Sequence, residues 1–254
     1  MKLRVLGCSG GIGGNLHTTS FLVDSDILID AGTGVGELGL TELAAIDHIF
    51  ITHSHMDHIC NLPLLLDSIA GMRNHPVTVY ATEVTLEILK RHIFNWEVWP
   101  DFSEIYRGLE PVMCYRMINI GETVELQGRR ITALPAVHTV PAVGYHLDSG
   151  NASLVFSGDT YVNDALWEAV NSIANLRYLI VETAFSNREK ELAALSQHLC
   201  PSLLAEELKK LLRHVEIYIT HLKPDEAALI MAEIEDSAKP HDPKMLVNNQ
   251  VFEF

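Results

Sequence analysis

The 254 residues, 48 % of them hydrophobic, can bury a substantial core, which excludes a disordered chain and fits one large domain over residues 1–254. With 33 acidic residues against 18 basic ones the formal net charge is −15, a field that repels long polyanions and leaves small ligands as the expected partners. Four scattered cysteines without a paired motif, an N-terminal apolar run too short for a signal peptide and no apolar stretch of membrane-spanning length give the expectation of a reduced, cytoplasmic chain.

In chain order, Leu3 to Leu6 reads as a strand and leads into a glycine-rich stretch from Gly7 to Asn15. Two β-rich runs follow, Thr19 to Asp24 and Asp26 to Gly32, where a dinucleotide-binding loop would need a helix, so a β-meander is expected instead. Asp30 closes its strand. It is expected either to accept a hydrogen bond from the first metal-facing histidines or only to start a turn.

Asp47 to Thr52 reads as a buried strand and Leu62 to Gly71 as a helix, which puts Thr52-His53-Ser54-His55-Met56-Asp57-His58 on the loop between them. In an extended or tightly turned backbone His53 and His55 project the same way and reach one cation, while Asp57 and His58 turn toward a second. Neutral imidazole and carboxylate are donors that Zn, Mn and Fe all accept.

Val77 to Tyr80 reads as a strand and Glu83 to His92 as a helix. Between Ile93 and Phe102 the rings of Phe94, Trp96, Trp99 and Phe102 crowd an irregular segment, expected to be either core or an aromatic wall on which a planar ring stacks. Met117 to Leu126 and Arg130 to Val137 alternate like paired strands, the second ending at His138. A hairpin about Gly150-Asn151 delivers Asp159, Tyr178 to Val181 delivers Glu182, and Glu216 to Thr220 delivers His221. Helices are expected over Asp164–Ile173, Pro201–Arg213 and Asp225–Ser237. This order suits two sheets packed face to face with helices outside.

The seven-residue motif, then His138, then Gly158-Asp159-Thr160, then His221, resembles the metallo-β-lactamase superfamily over essentially the whole chain. The resemblance implies an α/β protein with an αββα four-layer sandwich, two mixed β-sheets flanked by helices, and a two-metal centre at one edge. It implies His53, His55 and His138 on one metal, Asp57, His58 and His221 on the other, and Asp159 bridging. The cofactors are then two divalent metal ions, with Zn2+ expected ahead of Mn2+ or Fe2+.

Within that superfamily, His92-Ile93-Phe94-Asn95 with Trp99-Pro100, Glu182-Thr183-Ala184-Phe185, Gln197-His198-Leu199-Cys200-Pro201 and His221-Leu222-Lys223-Pro224 resemble the class II cyclic-nucleotide phosphodiesterases. The function so implied is hydrolysis of 3',5'-cyclic nucleotides, cAMP or cGMP, to nucleoside 5'-monophosphates by metal-bridged hydroxide attack. His198 is the expected general acid, Glu182 orients and charges it, and Asp57 is placed to receive the attacking water's proton. His17, Phe94, Asn95 and Trp99 are the expected substrate contacts, and a homodimer is expected from related enzymes. A tRNase Z-like 3'-processing endoribonuclease shares the metal set and a comparable Glu and His pair, but the charge balance opposes it and no glycine- and lysine-rich arm is present. A non-catalytic metal-binding protein is the remaining alternative.

Overall fold

The computed structural model describes residues 1–254. A meander of β1 (Lys2–Gly7), β2 (Ser20–Val23) and β3 (Ile27–Ile29) opens the chain. It continues through α1 (Leu40–Ala44), β4 (His48–Phe50), α2 (Met56–Ile59), α3 (Leu62–Ile69), β5 (Val77–Ala81), α4 (Glu83–His92), the small hairpin β6 (Tyr106–Arg107) and β7 (Glu110–Pro111), and β8 (Met113–Met117). The second half holds β9 (Thr123–Leu126), β10 (Arg129–Pro135), β11 (Val143–Asp148), β12 (Ser153–Phe156), α5 (Asp164–Ser172), β13 (Leu176–Glu182), α6 (Lys190–Ser196), α7 (Pro201–Leu208), β14 (Glu216–Thr220), α8 (Ala227–Ser237), β15 (Lys244–Met245) and β16 (Val251–Glu253).

Two seven-stranded sheets result, in the orders β16-β1-β2-β3-β4-β5-β8 and β15-β14-β13-β12-β11-β10-β9. Each is mixed. The run β3, β4, β5, β8 is parallel in the first, and the run β12, β13, β14, β15 is parallel in the second. Period-two alternation decides which face each side chain takes. Along β13, Tyr178 and Ile180 enter the cluster between the sheets, with Leu3, Val5, Phe21, Phe50, Tyr145 and Phe156. Their neighbours Leu179 and Val181 face outward, under α5, α7 and α8, with Trp167, Leu204 and Ile230. The outer face of the first sheet is covered by α1, α3 and α4, which bury Leu43, Leu65, Leu66, Leu86 and Leu89 against Ile49 and Val79. The order of layers is therefore helices, sheet, sheet, helices, as expected. No helix is long and apolar enough to cross a membrane.

Three expectations are corrected. The stretch from Met117 to Leu126 is not one strand: Met117 ends β8 in the first sheet, Gly121 turns at φ 81, and only Thr123–Leu126 pairs with β10. The helix expected over Pro201–Arg213 stops at Leu208. Asn171 on α5 draws the following turn out of helical geometry, donating to the Lys210 carbonyl and accepting from Leu212 N–H, while its own carbonyl takes Arg213 Nε. The metal motif is not wholly a loop, because Met56, Asp57 and His58 already lie in α2 with His55 as its N-cap.

Candidate metal centre

The parallel strands deliver polar side chains at or just beyond their ends: β4 leads to His53, β12 to Asp159 and β14 to His221, β13 ends on Glu182, and the antiparallel β10 leads to His138. Asp30 and His221 carry side chains at φ 56 and 65, left-handed conformations that cost energy and persist where surroundings hold them. Gly158, at φ 63, makes the turn that aims Asp159, and a Cβ there would press on the Val143 carbonyl.

These ends bring together two groups of donors, His53 with His55 and His138, and Asp57 with His58, Asp159 and His221, with potential ligand atoms in each within 4.8 Å of one another. Asp159 Oδ2 sits between them, 3.7 Å from His53 Nε2, 3.3 Å from His58 Nε2 and 3.5 Å from His221 Nε2. Asp57 Oδ2 lies 3.6 Å from His221 Nε2 and is the most exposed carboxylate of the cluster.

Hydrogen bonds on the far side of the rings fix where the protons are. The buried Asp30 carboxylate accepts from Thr52 N–H at 2.7 Å and Thr52 Oγ1 at 2.8 Å, and from His58 Nδ1–H at 2.7 Å. With its own proton given to Asp30, the Thr52 hydroxyl accepts from His53 Nδ1–H at 3.0 Å. His138 Nδ1–H donates to the Gln197 carbonyl at 3.1 Å. By this assignment His53, His58 and His138 each turn an Nε2 lone pair inward. His53 Nε2 and His58 Nε2 are buried and find no hydrogen-bond partner. Two buried imidazole nitrogens without a hydrogen-bond partner facing the Asp159 carboxylate, with His138 Nε2 3.1 Å from His55 Nδ1 beside them, suit divalent cations. Burial favours the neutral imidazole: it pushes His138 down to about 4, His221 to about 3 and His53 well below its ordinary range. For His58 burial pulls the same way, but Asp159 and Asp30 outweigh it and raise the imidazole. A cation at Nε2 competes with a proton there.

Next to this cluster, His198 Nδ1–H donates to Glu182 Oε1 at 2.9 Å, and a potential ligand atom of His198 lies within 4.8 Å of those of His138 and Asp159. Its ring stacks on His221, centroids 5.1 Å apart at 17°. Glu182 is fully buried and also accepts from Thr160 N–H at 3.2 Å and Leu199 N–H at 3.4 Å. Burial raises the Glu182 carboxyl despite the neighbouring imidazole. For His198 burial lowers and Glu182 raises, with the net direction up.

Phe94 is not the substrate contact expected: of the two expectations for this segment, core holds for Phe94 and Phe102, while Trp96 is 59 % exposed and donates its indole N–H to Glu104. Phe94 is 1 % exposed and Phe102 3 %, both in the cluster beneath the first sheet, with Trp99 packed against it. Asn95 spends its carboxamide locally, accepting from Glu97 and Val98 N–H and donating to the Arg91 carbonyl. The segment joins the start of β8, where Met113 N–H meets the Phe102 carbonyl, whereas the metal-facing residues lie beyond the ends of strands parallel to it. The ten residues of α4 carry the chain to that opposite end. His17 pairs with Glu37 at 3.2 Å, and its carbonyl accepts from Ser9 N–H. Asp30 is an acceptor, but for His58 rather than for the first two histidines. Thr52 and the Gln197 carbonyl were not anticipated. Thr52 had a signal in its place directly before His53, while a backbone carbonyl has none.

Residues 25–240 match the beta-lactamase superfamily domain. The chain is 27 % identical to the "Probable 3',5'-cyclic-nucleotide phosphodiesterase" of Yersinia pestis, over 92 % of this chain and 83 % of that one. It is 32 % identical to the "Nuclear ribonuclease Z" of Triticum aestivum, over 40 % of this chain and 54 % of that one. Its fold superposes on the unliganded crystal structure of yeast PDE1 with a TM-score of 0.82, at 18 % identity, covering 100 % of this chain and 99 % of that one.

Proposed function

This chain belongs to the beta-lactamase superfamily of hydrolases, and from that premise we propose that it is a dinuclear-metal phosphodiesterase acting on 3',5'-cyclic nucleotides to give nucleoside 5'-monophosphates. On this reading His53, His55 and His138 would hold one divalent cation and Asp57, His58 and His221 the other, with the Asp159 carboxylate placed between the two groups. Bound there, the pair of cations would supply an activated water and neutralise charge on the phosphoryl oxygens. The chain's own part is orientation and proton transfer. Glu182 accepts from Nδ1–H and favours the imidazolium form of His198, whose Nε2–H then protonates the departing 3' oxygen. Asp57, at the open side of the cluster, takes the proton released by the attacking water.

The observation that carries phosphodiester hydrolysis is the His198–Glu182 pair, and the similarity to the Yersinia pestis protein over 92 % of this chain favours the cyclic nucleotide. The pair sits against the donor cluster, with the carboxylate fully buried behind the imidazole. Purified Zn2+-loaded protein is expected to convert cyclic AMP or cyclic GMP to the 5'-monophosphate, followed by chromatography. His198→Ala is expected to lower kcat by roughly 10²–10⁴-fold at unchanged metal content. Unchanged turnover would remove His198 from the reaction.

A second reading, a 3'-processing endonuclease, is favoured by the similarity to the wheat ribonuclease Z and opposed by the net charge of −15. Cleavage of a precursor tRNA in preference to cyclic nucleotides would establish it.

A further inference from the structure

The glycine-rich stretch after β1 has no part in the chemistry above, yet it is bonded to the end of β14. The Cys8 carbonyl accepts from His221 N–H at 2.8 Å and from Thr220 Oγ1 at 3.1 Å. Gly10 N–H donates to the Leu222 carbonyl at 3.0 Å, and Lys223 Nζ donates to the Gly10 carbonyl at 2.9 Å. Residues 8–10 and 220–223 are thus laced together where β14 turns into the cluster. Within this lacing His221 holds φ 65, a left-handed conformation that a side-chain-bearing residue keeps only where its surroundings hold it.

Gly10 lies against His221 without an intervening atom. A Cβ there would overlap the His221 carbonyl and lie 3.1 Å from its imidazole Cδ2. Gly10 is not in the left-handed region, so the requirement is for close approach rather than for backbone freedom. A displaced loop has room to move, because a cavity of about 220 Å³ adjoins it, lined in part by Cys8, Leu16, Leu222 and Pro224.

We infer that Gly10 is a positioning residue: the Cys8–Gly10 backbone, tethered by Lys223, holds His221 in the strained conformation that points Nε2 at Asp57 and Asp159. The inference rests on the reading of His221 as a metal ligand. The test is Zn2+ stoichiometry and affinity of the metal-stripped full chain by chelator competition, together with its Tm without metal. Gly10→Ala is expected to weaken one of the two cations by roughly 10–100-fold and leave the other as in wild type. Lys223→Met is expected to weaken the same cation less. Gly71→Ala, which meets no atom within 4 Å, is expected to behave as wild type. Added to His221→Ala, Gly10→Ala should cause no further loss, a coupling that general destabilisation would not produce. Two cations at wild-type affinity in Gly10→Ala, or equal weakening of both with a lowered Tm, would overturn the inference. If that variant does not fold, Lys223→Met with both affinities unchanged would overturn it. Fewer than two cations in the wild type would instead remove the underlying metal reading.

Discussion

The two donor groups are built differently. His53, His55 and His138 bring three imidazoles and no charge of their own, and two of the three, His55 and His138, are only partly buried. His138 hangs from one backbone carbonyl, that of Gln197, itself in a left-handed conformation at φ 54. The other group brings two carboxylates, and its histidines are buried and braced, His58 by Asp30 and His221 by the lacing to Cys8. More ligand charge on better-fixed donors holds a divalent cation more tightly, so chelation is expected to empty the histidine group first.

The largest effect on this contrast is expected from Asp159→Ala, which takes away the oxygen within 3.7 Å of donors from both groups. Both cations should be lost and activity with them, as metal analysis after dialysis would show. Retention of either one would mean that the groups are more independent than the geometry indicates. A smaller and one-sided effect is expected from Asp30→Asn: roughly 10–100-fold weaker binding in the carboxylate group, with the histidine group little changed, measured by chelator competition. The smallest is expected from Thr52→Val. The hydroxyl that accepts from His53 and donates to Asp30 disappears, and stability falls by about 1 kcal/mol in denaturant unfolding. Affinity should slip by less than tenfold in both groups alike. A loss confined to one of them would show that Thr52 serves a single cation.

The sequence made one half of each donor group legible, because His53, His55, Asp57 and His58 fall within six residues and their spacing alone states the chemistry. From their own surroundings the completing residues, His138, Asp159 and His221, read as polar side chains after strand-like runs, and only the resemblance to the superfamily made them ligands. Their convergence depends on which strands are parallel, a property of the sheet rather than of any segment. Two misreadings have physical causes. Aromatic density between Phe94 and Phe102 does not say whether rings face solvent or core, and here the helix before them carries them away from the site. The alternation from Met117 to Leu126 is continuous in sequence while the chain changes sheets at Gly121. The glycine-rich stretch had no legible purpose, since its partner Lys223 stands 213 residues away.

Each donor group draws on both sheets: His53 and His55 come from the first and His138 from the second, as do Asp57 and His58 against Asp159 and His221. Neither group exists until the two sheets have docked, so a cation on the proposed ligands acts as a fastener across the sandwich. Its binding energy is then folding energy, growing with the logarithm of free metal over Kd. The same crossing means that the full donor set is complete only once long-range contacts between the sheets have formed.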